Sequence, residues 1–159
     1  MKLRVVDVDL DDLVADEARR LRAQTSLRVT TRIEAVRVLG DPDRIARALR
    51  NLVDNAARFA GAQVRLGVAR AQGCAVVLVE DDGPGIRAAD REAVLRRFVR
   101  LDEHRARNQG GAGLGLAIAD EILALHGGAC VVGDSDLGGA QVSLRLPLAP
   151  VVTVTGSRR

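Results

Sequence analysis

The sequence has almost no aromatic residues. Tryptophan and tyrosine are absent, and Phe59 and Phe98 are the only phenylalanines among 159 residues. The core must therefore be built from Val, Leu, Ile and Ala. A hydrophobic content of 47% is enough for one sizeable core in one domain. Lysine is nearly missing too: Lys2 stands alone, and 23 of the 24 basic residues are arginine. That bias reads as genome composition. The arginines are scattered, no aromatics lie between them, and the net charge is a modest +3. No nucleic-acid partner is expected.

Cysteine is scarce. Cys74 and Cys130 each sit in an apolar, strand-like run, and neither has a second Cys or a His at zinc spacing. Both read as reduced core thiols. No run approaches the ~18 apolar residues of a membrane span. Met1 leads straight into a charged, alternating segment, so no signal peptide is expected. The chain reads as soluble, from a reducing compartment, without membrane contact.

Along the chain, residues 3–9 alternate and predict an edge strand. Asp11 and Asp12 open an amphipathic helix to about Ala23, and short strands follow near 27–33 and 35–39. Gly40-Asp41-Pro42 starts a helix that should reach about Ala60, because Asp can cap and Pro suits the first helical position. Residues 63–69 and 74–80 predict a hairpin turning at Ala71-Gln72-Gly73. A short helix is expected near 88–96, and the polar, glycine-bearing stretch 100–113 reads as a mobile loop. A helix from Leu114 to about His126 and strands near 129–134 and 140–146 close the domain. Residues 1–150 form that domain, and 151–159 are expected to be a frayed tail. The expected fold is an α/β (α+β) two-layer sandwich, with one layer of helices on one mixed sheet.

Three segments carry chemistry. On the helix after Pro42, Ile45, Leu49, Leu52, Val53 and Ala56 share one side. Asn51, Asn55 and Arg58 share the other, one above the next. Asparagines weaken a helix by a few tenths of a kcal/mol each. An amide oxygen suits Mg²⁺ and an arginine suits phosphate, although a merely solvated polar face is an equal alternative. The strand at 74–80 runs into Glu80-Asp81-Asp82-Gly83-Pro84-Gly85-Ile86. Its glycines allow close backbone approach and its carboxylate can accept from an exocyclic amine, or the run is a simple turn. Gly110-Gly111-Ala112-Gly113-Leu114-Gly115-Leu116 precedes a helix and can present backbone N–H groups to an anion. It is not a P-loop, because no Gly-Lys-Ser/Thr follows.

The order of Asn-x-x-x-Asn, Asp-x-Gly-x-Gly and Gly-x-Gly-x-Gly resembles the GHKL nucleotide-binding superfamily (Bergerat fold). Within it, the sequence is similar to the catalytic domains of two-component sensor histidine kinases. Asn51-Leu52-Val53-Asp54-Asn55-Ala56-Ala57-Arg58-Phe59 matches their N box. Val79-Glu80-Asp81-Asp82-Gly83-Pro84-Gly85-Ile86 matches the first glycine box. Arg97-Phe98-Val99-Arg100-Leu101 matches the F box, and Gly111-Ala112-Gly113-Leu114-Gly115-Leu116-Ala117-Ile118 the second glycine box. Leu125-His126-Gly127-Gly128 matches the usual end of the last helix. The likeness runs from about residue 6 to residue 148.

The resemblance implies a mixed, mostly antiparallel sheet of about five strands, covered on one face by three helices, with a mobile ATP lid. It implies Mg-ATP as the bound species, with Asn55 as the metal's amide ligand. Asn51 and Arg58 would contact the phosphates, and Phe59 would pack on adenine. Asp81 would accept from the adenine amine, and Gly83, Gly85 and Ile86 would close over the base. Residues 100–112 would be the lid, with Arg100, Arg105 and Arg107 available to the phosphates. Gly111, Gly113, Leu114, Gly115 and Leu116 would hinge the lid and present N–H groups.

Relatives that attack with water or a serine hydroxyl carry a carboxylate base where this chain has Asn51, which cannot take a proton. A histidine imidazole needs no such base. The resemblance thus implies phosphoryl transfer to a histidine. Neither histidine here fits the acceptor position. His104 falls in the lid and reads as a solvated residue, and His126 reads as structural at the end of a helix, where a partly charged ring is favoured by the dipole. The acceptor would sit on a separate dimerisation domain, with a response regulator beyond it. The fragment is expected to be a cytoplasmic monomer from a membrane-anchored sensor. The alternatives are an ATP-switched binding module, or a serine kinase or ATPase of the same superfamily.

Overall fold

The computed structural model describes residues 2–96 and 114–150. Strand β1 (Val6–Asp9) leads into helix α1 (Leu10–Gln24). Asp11 and Asp12 lie in the first turn of α1, where the helix dipole favours acids. The Thr25 hydroxyl returns to Leu21 O at 2.7 Å and closes its far end. Strands β2 (Arg28–Ile33) and β3 (Arg37–Gly40) precede helix α2 (Pro42–Phe59). Asp41 caps α2 through the Arg44 amide, with Pro42 in first place, as the sequence indicated.

Strands β4 (Gln63–Ala71) and β5 (Cys74–Asp81) form the expected hairpin. Its two-residue turn puts Gln72 at φ 52° and Gly73 at φ 76°, the backbone such a tight connection requires. Helix α3 (Gly115–Leu125) stops where Gly127, at φ 74°, reverses the chain. The Gly127 and Gly128 amides return to Ala124 O at 3.1 Å and Leu123 O at 2.8 Å. Strands β6 (Ala129–Asp134) and β7 (Ala140–Pro147) follow.

The main sheet has five strands in the order β2-β4-β5-β7-β6. Only β2 and β4 are parallel; the other pairs are antiparallel. Helices α1, α2 and α3 cover one face. Leu21, Ile45, Leu49, Leu52 and Leu123 meet Leu66, Val77, Leu144 and Leu146 in one aliphatic core. The mixed two-layer sandwich is therefore as the sequence suggested.

Three details differ. The first strand is shorter than residues 3–9, and it pairs with β3 in a separate two-stranded sheet. The expected helix near 88–96 is instead two short 3-10 turns, Ala88–Asp90 and Ala93–Leu95. Neither has a side-chain cap, and Val94 and Leu95 give too narrow an apolar stripe for an α-helix. Both cysteines are free, but only Cys130 lies in the core; Cys74 is half-buried where β5 begins. Burial pushes the Cys130 thiol up to about 12, so it stays protonated. The expected tail, 151–159, lies outside the described residues.

Candidate functional site

The end of β5 is crowded with backbone. Asp81 is 3% exposed, and its Oδ1 accepts from Gly83 N at 2.8 Å and from Ala140 N at 3.4 Å. Burial raises this carboxyl above its usual range, while the two amides pull it back. A side chain on Gly83 would stand 2.3 Å from Phe59 O. One on Gly139 would stand 2.3 Å from Asp81 Oδ1 and 2.5 Å from Asp81 O. Glycine is therefore the only residue that fits either place. Gly85 adopts φ 74°, packs on Gly139, and leads into half-buried Ile86. Arg91 fixes that segment, bonding Ile86 O at 3.3 Å and Asp134 at 2.7 Å.

Asp82 behaves in the opposite way. Its carboxylate accepts from Ala62 N, Gln63 N and Gly61 N, at 2.8–3.3 Å. These amides, Ala62 first, hold the carboxyl below its usual value. Asp82 thereby ties the end of β5 to the chain leaving α2. Neighbouring carboxylates are thus divided, Asp82 holding the frame and Asp81 held by the Gly83 and Ala140 amides.

The other end of the site lies on α2. Asn51 was expected on a polar face, yet its Nδ2 is buried and has no hydrogen-bond partner. Gly115, the first residue of α3, lies beside it; a Cβ there would be 3.9 Å from Asn51 Cβ. An orphaned buried amide costs about 1–3 kcal/mol. Asn55 is half-buried and Arg58 exposed. Among the described residues neither makes a side-chain hydrogen bond or ion pair. Leu114 is half-buried at the start of α3, and Leu116 is buried in the core. Helix α2 is braced from behind by α1. Buried Glu17 bonds Arg20 and, at 3.1 Å, Arg50, while Arg20 reaches Asp54 at 2.7 Å.

The structure brings Asp81, Gly83, Gly85 and Phe59 together, and sets Asn51 against Gly115. Arg100, Arg105, Arg107, Gly111 and Gly113 lie outside the described residues, as do Phe98 and His104. Sequence reasoning missed Gly139 and Ala140; the pair Gly138-Gly139 just before the last strand was the available signal. His126 is structural, as the sequence indicated, but it is not the partly charged helix end that the dipole favours. Nε2 accepts the Asp41 N–H at 3.0 Å, and Nδ1 lies 2.7 Å from Ile122 O. That pattern needs a neutral ring with its proton on Nδ1, so His126 is a structural joint between α3 and α2. A separate open cleft of about 700 Å³, lined by Asp9, Asp11, Val36 and Arg37, shares no residue with this site. Its acids are already used: Asp9 pairs with Arg37, and Asp11 takes the Val36 amide.

Among known proteins, residues 40–150 match the family described as histidine kinase-, DNA gyrase B-, and HSP90-like ATPase. The chain is 41% identical to the sensor histidine kinase CpxA of Escherichia coli K12 over 109 residues, covering 69% of this chain and 24% of CpxA. It is 36% identical to the sensor-like histidine kinase SenX3 of Mycobacterium tuberculosis H37Rv over 149 residues, covering 90% of this chain and 36% of SenX3. It thus spans well under half the length of these relatives. Among solved structures, the mycobacterial sensor histidine kinase MprB superimposes with a TM-score of 0.79 at 28% identity, covering 92% of this chain and 99% of that one. Full-length ShkA in complex with AMPPNP gives 0.80 at 28% identity, covering 96% and 33%.

Proposed function

The chain belongs to the histidine kinase-, DNA gyrase B- and HSP90-like ATPase family, and from that premise we propose that it is the ATP-binding catalytic domain of a sensor histidine kinase. The domain would comprise residues 1–150, with 151–159 as a tail. It binds Mg-ATP and passes the γ-phosphoryl group to a histidine on a separate dimerisation domain, from which a response regulator would receive it. The same reading puts the domain in the cytoplasm, as part of a membrane-anchored sensor. Among the described residues no helix is long and apolar enough to cross a membrane.

The observation that carries this reading is the buried, unpartnered Nδ2 of Asn51. It is a donor without an acceptor, and a phosphate oxygen is the acceptor such a place suits. At the far end, Asp81 is turned by two backbone amides so that its second oxygen is left to accept the 6-amino group of adenine. Phe59, Gly83, Gly85 and Ile86 flank the base. Asn55 offers an amide oxygen to magnesium, and Arg58 offers charge to the phosphates. Magnesium, when bound, would neutralise phosphate charge and orient the transferred group. Leu114, Gly115 and Leu116 set the start of α3, where backbone amides face the phosphates. We assign Arg100, Arg105 and Arg107 to the phosphates and Gly111 and Gly113 to the lid.

The chain contributes position and charge rather than a base, because Asn51 cannot accept a proton. The acceptor must arrive with its own lone pair, and a neutral imidazole does. Its nitrogen bonds to the γ-phosphorus, the bond to the β–γ bridging oxygen breaks, ADP leaves, and the imidazole sheds its proton. His126 has both ring nitrogens engaged within the fold, so it does not serve. The test mixes this domain and Mg-ATP with a separately made dimerisation hairpin bearing its histidine. Acid-labile phosphate on the hairpin is the expected result. ATP binding without any labelling would reduce the domain to a nucleotide-switched binding module.

A further inference from the structure

Ser135, in the turn between β6 and β7, makes four bonds at once, one of them from the Gly138 N–H to its carbonyl oxygen at 3.0 Å. Its N–H donates to Gly139 O at 2.9 Å, and its hydroxyl oxygen accepts the Leu137 N–H at 3.0 Å. The same hydroxyl donates to Glu80 Oε1 at 3.1 Å. Glu80 is 4% exposed and gripped by Arg65, whose Nε and Nη2 lie 2.7 and 3.0 Å from its two oxygens. Glu80 and Asp81 are consecutive in β5, so their side chains leave opposite faces of the sheet. The turn that Ser135 anchors on the Glu80 side delivers Gly139 and Ala140 on the Asp81 side. There Ala140 N–H bonds Asp81 Oδ1 at 3.4 Å, a long bond that a small movement of the turn would lose.

We propose that Ser135 is a positioning residue for base selection: it pins the β6–β7 turn to Glu80 and so fixes the direction of the Asp81 carboxylate. The inference rests on Asp81 being the group that reads the base. Without the Glu80 anchor the turn keeps its backbone bonds but can shift on the sheet, lengthening the already long Ala140 bond and leaving Gly83 N as the stronger restraint on Oδ1. The carboxylate then turns more freely, and selectivity for a 6-amino purine falls while contacts common to all nucleoside triphosphates stay.

The test measures affinity for Mg-ATP and Mg-ITP in the wild type and in Ser135→Ala, Ser135→Thr and Asp81→Asn. ITP carries a carbonyl oxygen at position 6, which an ionised Asp81 repels. In Ser135→Ala, ATP affinity should fall about tenfold with ITP affinity unchanged, the size expected for one hydrogen bond to a charged group. Ser135→Thr, which keeps the hydroxyl, should retain the wild-type ratio. An equal fall for both nucleotides, or an unchanged ratio in Ser135→Ala, would overturn the proposal. Arg65 still holds Glu80 in Ser135→Ala, so the protein should fold, as a melting curve will show. Should it not fold, Glu80→Gln keeps the shape and weakens the acceptor; a smaller fall in the ratio is expected, and no fall overturns the idea. If Asp81→Asn binds ATP like the wild type, the reading of Asp81 fails and takes this inference with it. If Asp81→Asn loses ATP while Ser135→Ala keeps full discrimination, this inference fails alone.

Discussion

The Asp81 end and the Asn51 end of the site are built in opposite ways. Around Asp81 backbone amides already hold Oδ1, and glycines at 83 and 139 leave no room for adjustment. Around Asn51 a donor is buried without an acceptor, and Asn55 and Arg58 stand open. The first end is finished before the ligand arrives and can therefore discriminate. The second is left incomplete, at a cost in stability, and gains its missing partner only on binding. Adding bulk at the first end should accordingly cost stability, and removing the orphaned donor at the second should raise it.

The largest effect is expected from Gly139→Val. Its Cβ would fall 2.3 Å from Asp81 Oδ1. Overpacking there should cost about 1–3 kcal/mol and remove detectable nucleotide binding, as read by thermal melting and by titration with a fluorescent ATP analogue. Asp81→Asn should lower ATP affinity about 100-fold, the loss of a well-aligned bond to a charged group. It should leave the melting temperature unchanged or slightly higher, because a buried charge is removed. Asn51→Leu should contrast with Gly139→Val. Removing the orphaned amide should stabilise the free protein by about 1–2 kcal/mol while weakening Mg-ATP about tenfold. A destabilised Asn51→Leu would erase the contrast between the two ends.

The smallest effect is in pH dependence. Asp81 has its folded value raised above 3.8 by burial, so its charge opposes folding and its protonation on acidification favours the folded state. That same protonation removes the acceptor for adenine. ATP affinity should therefore begin to fall while the pH is still above 3.8, and Asp81→Asn should flatten the profile. Asp82 and Asp41 are lowered, by the Ala62 and Arg4 amides foremost. Their contribution to stability is complete above 3.8 and is lost as the pH falls through their folded values. Affinity should thus decline before stability does, which calorimetry and melting curves on one pH series will separate.

Much of this was legible locally. Asp41-Pro42 opens α2, Gln72-Gly73 turns the hairpin, and Gly127-Gly128 ends α3, because each is short-range backbone chemistry. Asp81 and its glycines also announce themselves in sequence. Features made by distant pairing did not. Ala140 reaches Asp81 across 59 positions, through the register of β5 against β7. His126 reaches Asp41 across 85 positions, and that bond overrides the dipole argument for a charged ring. Helical periodicity put Asn51 on a polar face, yet its Nδ2 is buried, with Gly115 of α3 alongside. The pairing of β1 with β3 is likewise a tertiary choice between compatible edges.

Calorimetric titration of the folded wild type with ATP, with and without magnesium, and of Asp81→Ala under the same conditions, tests the central claim most directly. One saturable site for Mg-ATP, weakened without the metal and absent in a folded Asp81→Ala, is the predicted result. No heat from the wild type, or an unchanged affinity in Asp81→Ala, would contradict it.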